Sequence, residues 1–123
     1  MIAHRNSLSL FALIGALLVS GFLTGCTDVP KRTGDLHTDL RSSDPLIRGE
    51  SALYAGETRA ESTVPLLIEL LEDDEYGVRL NAHISLILIT GRNDFGYQAL
   101  DPPNRRAESA AKWRKWYKTI DPT

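Results

Sequence analysis

Cysteine is almost absent from this 123-residue chain, which has only Cys26, so one copy cannot form an internal disulfide. Histidine is also scarce, and none of the three histidines lies beside cysteines or carboxylates at a spacing that metal sites use. A formal charge of −2 provides no basic excess for nucleic acid. No serine lies in a Gly-x-Ser-x-Gly elbow. We therefore expect no metal, no cofactor, no nucleic-acid partner and no enzymatic activity.

Charge and hydropathy at the start of the chain follow the order of an export signal. Arg5 is the only charged residue before Cys26, and residues 8–23 are apolar apart from two serines and the glycines. Sixteen residues of helix span roughly 24 Å, short of the ~30 Å hydrocarbon core, which disfavours an uncleaved membrane-spanning helix. The sequence thus predicts a cleavable signal over residues 1–25.

The end of this signal resembles the lipobox of bacterial lipoproteins, an aliphatic residue and two small residues before cysteine. The matching residues are Leu23, Thr24, Gly25 and Cys26. The resemblance implies that Cys26 receives a diacylglycerol and becomes the new N-terminus, with acyl chains that each add about 0.8 kcal/mol of membrane binding per buried CH₂. We expect a lipid-anchored protein on the exported side of the membrane. Thr27, in place of aspartate, favours the periplasmic face of the outer membrane in a diderm bacterium.

Residues 26–34 contain little that could be buried, and they read as the lipidated N-terminus with a flexible tether. Helical punctuation begins after them and defines one domain over residues 35–123. An acidic cap before Pro45 starts a helix over 45–55, with Gly56 as its expected left-handed cap. Further helices are expected over 63–72, 74–90 (ending at Gly91) and 104–119, with a weak one over 35–41. The 74–90 helix is apolar nearly all round, which predicts that it is sandwiched between other helices.

The absence of two-residue alternation leaves an all-α fold as the expectation. The two central helices also repeat each other: Arg48 and Arg79 each follow an aliphatic residue and an acidic cap, 79 − 48 = 31 residues apart. Three residues after each arginine is a small residue, Ser51 or Ala82. Helix pairs at such a period are typical of α-solenoids.

The pattern over residues 36–120 resembles HEAT-like repeats of the phycobilisome-lyase type, in about two copies. The resemblance rests on the acidic caps, the aliphatic–arginine pairs and the helix that begins at Val64-Pro65. It implies a short right-handed α–α superhelix of four to five helices, with an aromatic last helix closing the stack. It also implies that Arg48 and Arg79 serve caps and acidic side chains of adjacent turns, although a ligand-binding role stays open.

The chain's charges are segregated: residues 57–75 hold seven acids against one base, and residues 104–118 hold six bases against one acid. These segments can pair internally or can face a partner. In HEAT-like stacks the second helix of each pair lines the concave side. The expected partner-binding residues there are Glu69, Glu72, Arg106, Lys112 and Lys115.

The loop between the last two helices carries Phe95 and Tyr97, for which two interpretations stand. The rings are exposed anchors for a partner, or they form a lid on the last two helices. The expected function is a membrane-anchored scaffold or adaptor for an unidentified protein. The alternatives are a lyase-type enzyme related to the resembled family, and an envelope component that self-associates near Leu36 and Leu40.

Overall fold

The computed structural model describes residues 31–123, and within that range the chain is helical with no strand. This confirms the predicted all-α class. The elements, in chain order, are α1 (Leu36–Asp39), α2 (Pro45–Glu57), a 3₁₀ turn (Glu61–Thr63), α3 (Val64–Leu70), α4 (Tyr76–Thr90) and α5 (Pro103–Ile120).

Local capping chemistry marks the start of α2 and the end of α4. The Asp44 side chain accepts a hydrogen bond from the backbone N–H of Leu46, and Pro45 occupies the first turn of α2. Gly91 ends α4 with a φ of +70°, the left-handed conformation that glycine adopts without strain. The prediction for Gly56 was wrong: α2 continues to Glu57, and the left-handed residue after it is Arg59, with a φ of 52°.

Gly56 instead permits α2 and α4 to approach each other closely. A Cβ built on Gly56 would lie 2.4 Å from Ser85 Oγ and 2.7 Å from Ser85 Cα. Beside it, Ser85 Oγ donates to the Ala52 carbonyl at 2.6 Å, and Asn81 Nδ2 donates to the Gly49 carbonyl at 3.0 Å. Residue numbers rise together along both helices in these contacts. The two helices therefore run parallel, with α3 as the return segment between them.

The core lies between this helix pair and the segments that follow each helix. The helix α3 packs on both α4 and α5, and five of its seven residues are buried. Trp113 of α5 is fully buried beside it. The buried apolar residues come from every part of the described chain: Leu40, Ala52, Ala55, Val64, Leu66, Leu67, Ile68, Leu70, Leu71, Val78, Ala82, Leu86, Tyr97, Ala99, Ala110 and Trp113.

The outer side of α4 is open, so the expectation that this helix is sandwiched was wrong. Ser85 and Leu86 are buried, but Ile84 is 38% exposed and Leu88 is 42% exposed. The reason is geometric. One side of α4 contacts α2, a second contacts α3, and no described element covers a third.

Thr33, two residues before the expected start of the domain, is hydrogen-bonded to α1. The Thr33 backbone N–H and hydroxyl both donate to Asp39 Oδ1, at 2.9 and 2.8 Å. Leu40, one of the two residues expected at an associating end, is buried in the core. The predicted signal peptide, the Leu23–Gly25 cleavage motif and the lipid on Cys26 lie outside the described residues. Within the described range, no helix combines the length and apolarity needed to cross a membrane.

Candidate functional site

Arg48 belongs to the first turn–helix unit, residues 42–57. It is hydrogen-bonded both to its own turn and to the turn of the next unit. Arg48 Nη1 donates to the carbonyls of Ser42 and Ser43 at 2.9 and 3.1 Å. Its Nε and Nη2 donate to the two carboxylate oxygens of Asp73 at 2.8 and 3.0 Å. This bidentate pair is the main reason that the pKa of Arg48 lies above its ordinary value.

The arginine of the second unit, residues 73–90, repeats these contacts 31 residues later. Arg79 Nη1 donates to the carbonyls of Asp73 and Asp74, both at 2.7 Å. Its Nε donates to the carbonyl of Ala99 at 3.1 Å, in the segment that follows α4. Both guanidinium groups are occupied by internal acceptors, as the structural interpretation of the arginines predicts. Both arginines therefore hold the fold together.

The loop of residues 91–102 is held against the helices by Tyr97. This side chain is 3% exposed, and its hydroxyl donates to the Leu71 carbonyl at the end of α3. Burial raises the pKa of Tyr97 to about 12, so its hydroxyl stays neutral. For Tyr97 the lid interpretation therefore holds, and the expectation of an exposed partner-binding ring is corrected, because the ring lies in the core.

Phe95, two residues earlier, takes part in an aromatic cluster that reaches the surface. Its ring centroid lies 4.9 Å from Trp113 in an edge-to-face arrangement and 6.3 Å from Trp116. The Arg92 guanidinium lies 5.1 Å from the Phe95 centroid and 5.2 Å from that of Trp116, and it is paired with Asp94 at 2.6 Å. Phe95 and Trp116 remain partly exposed above the buried Trp113.

A groove of about 330 Å³ lies beside these two rings; we call it the Phe95–Trp116 groove. Its other lining residues are Lys112, Lys115 and Thr119. Because residues at i, i+3, i+4 and i+7 share one face of a helix, these α5 side chains stand together. Both lysines are exposed, and within residues 31–123 neither forms an ion pair. The groove is thus an apolar floor with a cationic rim.

The remaining predicted charges lie elsewhere. Glu69 is exposed and lines a groove between α3 and α5 together with Arg114 and Lys118. Glu72 forms an ion pair with Arg114, so the oppositely charged segments partly pair internally. Arg106 is half-buried and donates through Nη1 to the Asp101 carbonyl at 2.7 Å. The structure therefore brings together Phe95, Lys112 and Lys115, and it separates Glu69, Glu72 and Arg106 from them.

A second groove, of about 410 Å³, also has Trp116 in its lining and has the opposite charge. It carries the carboxylates Glu61 and Asp121 and the apolar side chains Val64, Ile89 and Ile120. The Tyr117 hydroxyl donates to Asp121 Oδ2 at 3.0 Å. Hydrogen bonds, first from the Thr123 hydroxyl and then from Tyr117, lower the pKa of Asp121, which keeps this carboxylate charged.

Sequence reasoning missed Arg92, and it favoured core packing over a binding role for Trp116, which is partly exposed. The helical spacing of Trp113 and Trp116 indicates packing for both rings, and only the fold distinguishes the buried one from the half-exposed one. Arg92 directly follows the glycine that ends α4, and no periodic pattern marks it. In residues 31–123 no group of three or more His, Cys, Asp or Glu side chains is placed to hold a metal ion.

Comparison of the chain with protein-family models, curated proteins and solved structures gave no match. The candidate site is therefore defined by its own geometry: two half-exposed rings beside two exposed lysines on the last helix.

Proposed function

We propose that this protein is a lipid-anchored adaptor of the bacterial envelope, built from HEAT-like repeats and tethered through Cys26. Its role is to hold a protein partner near the membrane, without catalysis. The anchor follows from the lipobox at residues 23–26, and the recognition surface from the last helix and the loop before it.

The repeat part of the proposal is supported by the contacts of α2 and α4. The two helices pack in parallel at an offset of 81 − 49 = 32 and 85 − 52 = 33 residues, close to the 31-residue sequence period. The arginines of both units serve their own turns in the same way. Parallel stacking of equivalent helices is how solenoid repeats bury their faces, and a right-handed superhelical course is the arrangement we propose.

The observation that carries the binding role is the Phe95–Trp116 groove. Large aromatic side chains that are partly exposed, supported from beneath by a buried ring and bordered by cations, are typical of protein-binding sites. Lipid anchoring would raise the local concentration of the groove for any partner in the same membrane.

The anchor is tested by metabolic labelling of the full-length protein with radioactive palmitate in a bacterial host. The proposal predicts label on the wild type, recovery in the membrane fraction, and loss of both in Cys26→Ser. Wild-type protein that carries no radioactive label and is recovered with the soluble proteins would overturn the lipid anchor.

The adaptor role is tested by crosslinking intact cells that express the full-length chain. One protein recovered reproducibly with the wild type, and lost with Cys26→Ser, is the expected result. Adducts that contain only copies of this chain would favour the self-associating alternative and overturn the adaptor role.

A further inference from the structure

We infer that the Phe95–Trp116 groove binds an acidic peptide segment that presents one apolar side chain between carboxylates. This inference rests on the proposed adaptor function and adds the chemistry of the partner. It follows from three features of the groove: an apolar floor, an unpaired cationic rim, and a lining that comes from the last loop and the last helix.

The floor fits one apolar side chain. Its area comes from the faces of Phe95 and Trp116, which Trp113 supports through ring contacts at 4.9 and 5.7 Å. A groove of about 330 Å³ is near the lower limit of small-ligand pockets, and it is open to solvent along one side. An apolar side chain of a peptide can enter such a groove while its backbone stays outside.

The cationic rim determines that the charged residues of the peptide near the apolar side chain must be acidic. Lys112 and Lys115 are three residues apart on α5, so their Cβ atoms are about 5–6 Å apart. Side chains of an extended peptide alternate between its two faces, so a carboxylate two residues from the apolar side chain shares its face at a distance of about 7 Å. Carboxylates two residues before and two residues after the apolar side chain therefore face the groove with it, where the flexible lysine side chains can reach them. Arg92 is already paired with Asp94, so the two lysines supply the rim's uncompensated charge.

The position of the groove favours a protein segment over the lipid surface. The described contacts of the chain's first residues, next to the proposed anchor, run to α1, α2 and the 3₁₀ turn: Thr33 to Asp39, Arg32 over the Tyr54 ring, and His37 to Ser62. The groove is formed by the last loop and the last helix. The described residues nearest the anchor therefore do not line the groove.

The test uses the full-length protein in detergent micelles and fluorescent 12-residue peptides with leucine at the centre. One peptide has glutamates two residues before and two residues after the leucine, a second has lysines at those positions, and a third replaces the leucine of the first peptide by serine. The variant is Lys112→Glu with Lys115→Glu. Its matched control, Arg105→Glu with Lys118→Glu, makes the same charge change at exposed positions of α5 outside the groove.

Fluorescence anisotropy is expected to show binding of the glutamate peptide to the wild type and the control. The groove variant should weaken that binding on the order of tenfold or more and should bind the lysine peptide in its place. The serine peptide should bind weakly to every form. Equal binding of the glutamate peptide to both double variants, or preference of the wild type for the lysine peptide, would overturn the inference.

Two further results separate this inference from the adaptor role. Binding of the wild type to phosphatidylglycerol vesicles, lost in the groove variant and unaccompanied by peptide binding, would replace the acidic peptide by the membrane surface. A partner that still crosslinks in cells to the groove variant would overturn the assigned chemistry and leave the adaptor role intact. Peptide binding with no crosslinked partner in cells would support the groove chemistry and overturn the adaptor role.

Discussion

The faces that α2 and α4 present to the next element differ in side-chain size. On α2 the residues that meet α4 are Gly49, Ala52 and Gly56, and the α4 backbone approaches Gly56 most closely. The residues 31 positions later on α4 are Leu80, His83 and Ile87. No helix packs there among the described residues. Instead, the loop that follows α4 places the Tyr97 ring 4.9 Å from the ring of His83.

This difference indicates what makes a helix accept another helix beside it. Small residues at i, i+3 and i+7 permit the backbones to approach closely and let Ser85 and Asn81 donate to α2 carbonyls. Larger residues at the equivalent places hold a neighbour further away, where a loop with an aromatic side chain fills the space. Arg48 and Arg79 show the same asymmetry, since one reaches the carboxylate of the next unit and the other a carbonyl of the closing segment.

The largest expected effect is that of replacing the second arginine. Arg79→Ala removes three hydrogen bonds from a buried guanidinium and should lower the free energy of unfolding by about 3 kcal/mol or more. Arg48→Ala should cost about 1–2 kcal/mol, because its ion pair with Asp73 is nearer to solvent. Urea unfolding followed by tryptophan fluorescence measures both. A greater loss of stability for Arg48→Ala than for Arg79→Ala would contradict the expectation that the contact of Arg79 with the segment after α4 contributes more to stability.

The next effect concerns the close approach of α2 and α4. Gly56→Ala should lower the free energy of unfolding by about 1–3 kcal/mol, because the new Cβ meets the Ser85 backbone. Gly49→Ala is the matched control: its Cβ would lie 3.7 Å from Val78 Cγ2, an ordinary contact. There the better helix propensity should raise stability by up to about 1 kcal/mol. Equal effects of the two substitutions would contradict the described approach.

A smaller effect should appear as a dependence on pH. Burial lowers the pKa of His83 below its ordinary value of 6.5, although a hydrogen bond with Asn93 opposes the shift. Because the folded state binds its proton less readily, the stabilisation is present above about pH 6.5 and is lost as the pH falls through the folded pKa. The urea concentration at the unfolding midpoint should therefore decrease as the pH is lowered from about 7.5 to about 5.5.

Substitution by glutamine separates this histidine from the other one in the domain. His83→Gln should flatten the pH dependence, and His37→Gln, on the surface of α1, is the control that should preserve it. If the pH dependence of the urea midpoint persists unchanged in His83→Gln, His83 is not its cause.

The smallest effect is expected where the two units already differ by one hydroxyl. Ser51 is buried with no hydrogen-bond partner for its Oγ, and its equivalent on α4 is Ala82. Ser51→Ala should change the free energy of unfolding by less than about 0.5 kcal/mol or raise it slightly. Ser85→Ala loses the bond to Ala52 and should cost about 1 kcal/mol. A costly Ser51→Ala would indicate a partner for that hydroxyl that the structure does not show.

Much of the fold could be predicted from the sequence because its signals are local. Asp44-Pro45 and Gly91 mark helix ends through capping and backbone conformation, and the arginine period identifies the equivalent turns. The function of Gly56 could not be predicted in this way. Its small size is required by the close approach of Ser85, 29 residues away. A glycine that permits a close approach has the same sequence signal as one that ends a helix.

The candidate site was predictable only in part for a similar reason. The expected concave helix suggests Lys112 and Lys115, and the loop before it suggests Phe95, but the sequence contains no information on which of these side chains meet. That depends on how the loop after α4 folds back, with Tyr97 directed inward to Leu71 and Phe95 directed to the tryptophans. Residues 23–26, which resemble a lipobox, lie outside the described range, so the anchor is a prediction from the sequence.

Photo-crosslinking in living cells tests the central claim, protein binding through the groove, most directly. The photoreactive residue p-benzoylphenylalanine replaces Thr119, which lines the groove, or Glu57, which is exposed at the end of α2. One adduct is expected from position 119, formed with an acidic segment of another protein. It should be lost when Lys112 and Lys115 are both changed to glutamate. An adduct that forms from position 57 and not from position 119, or one that survives the double change, would contradict the central claim.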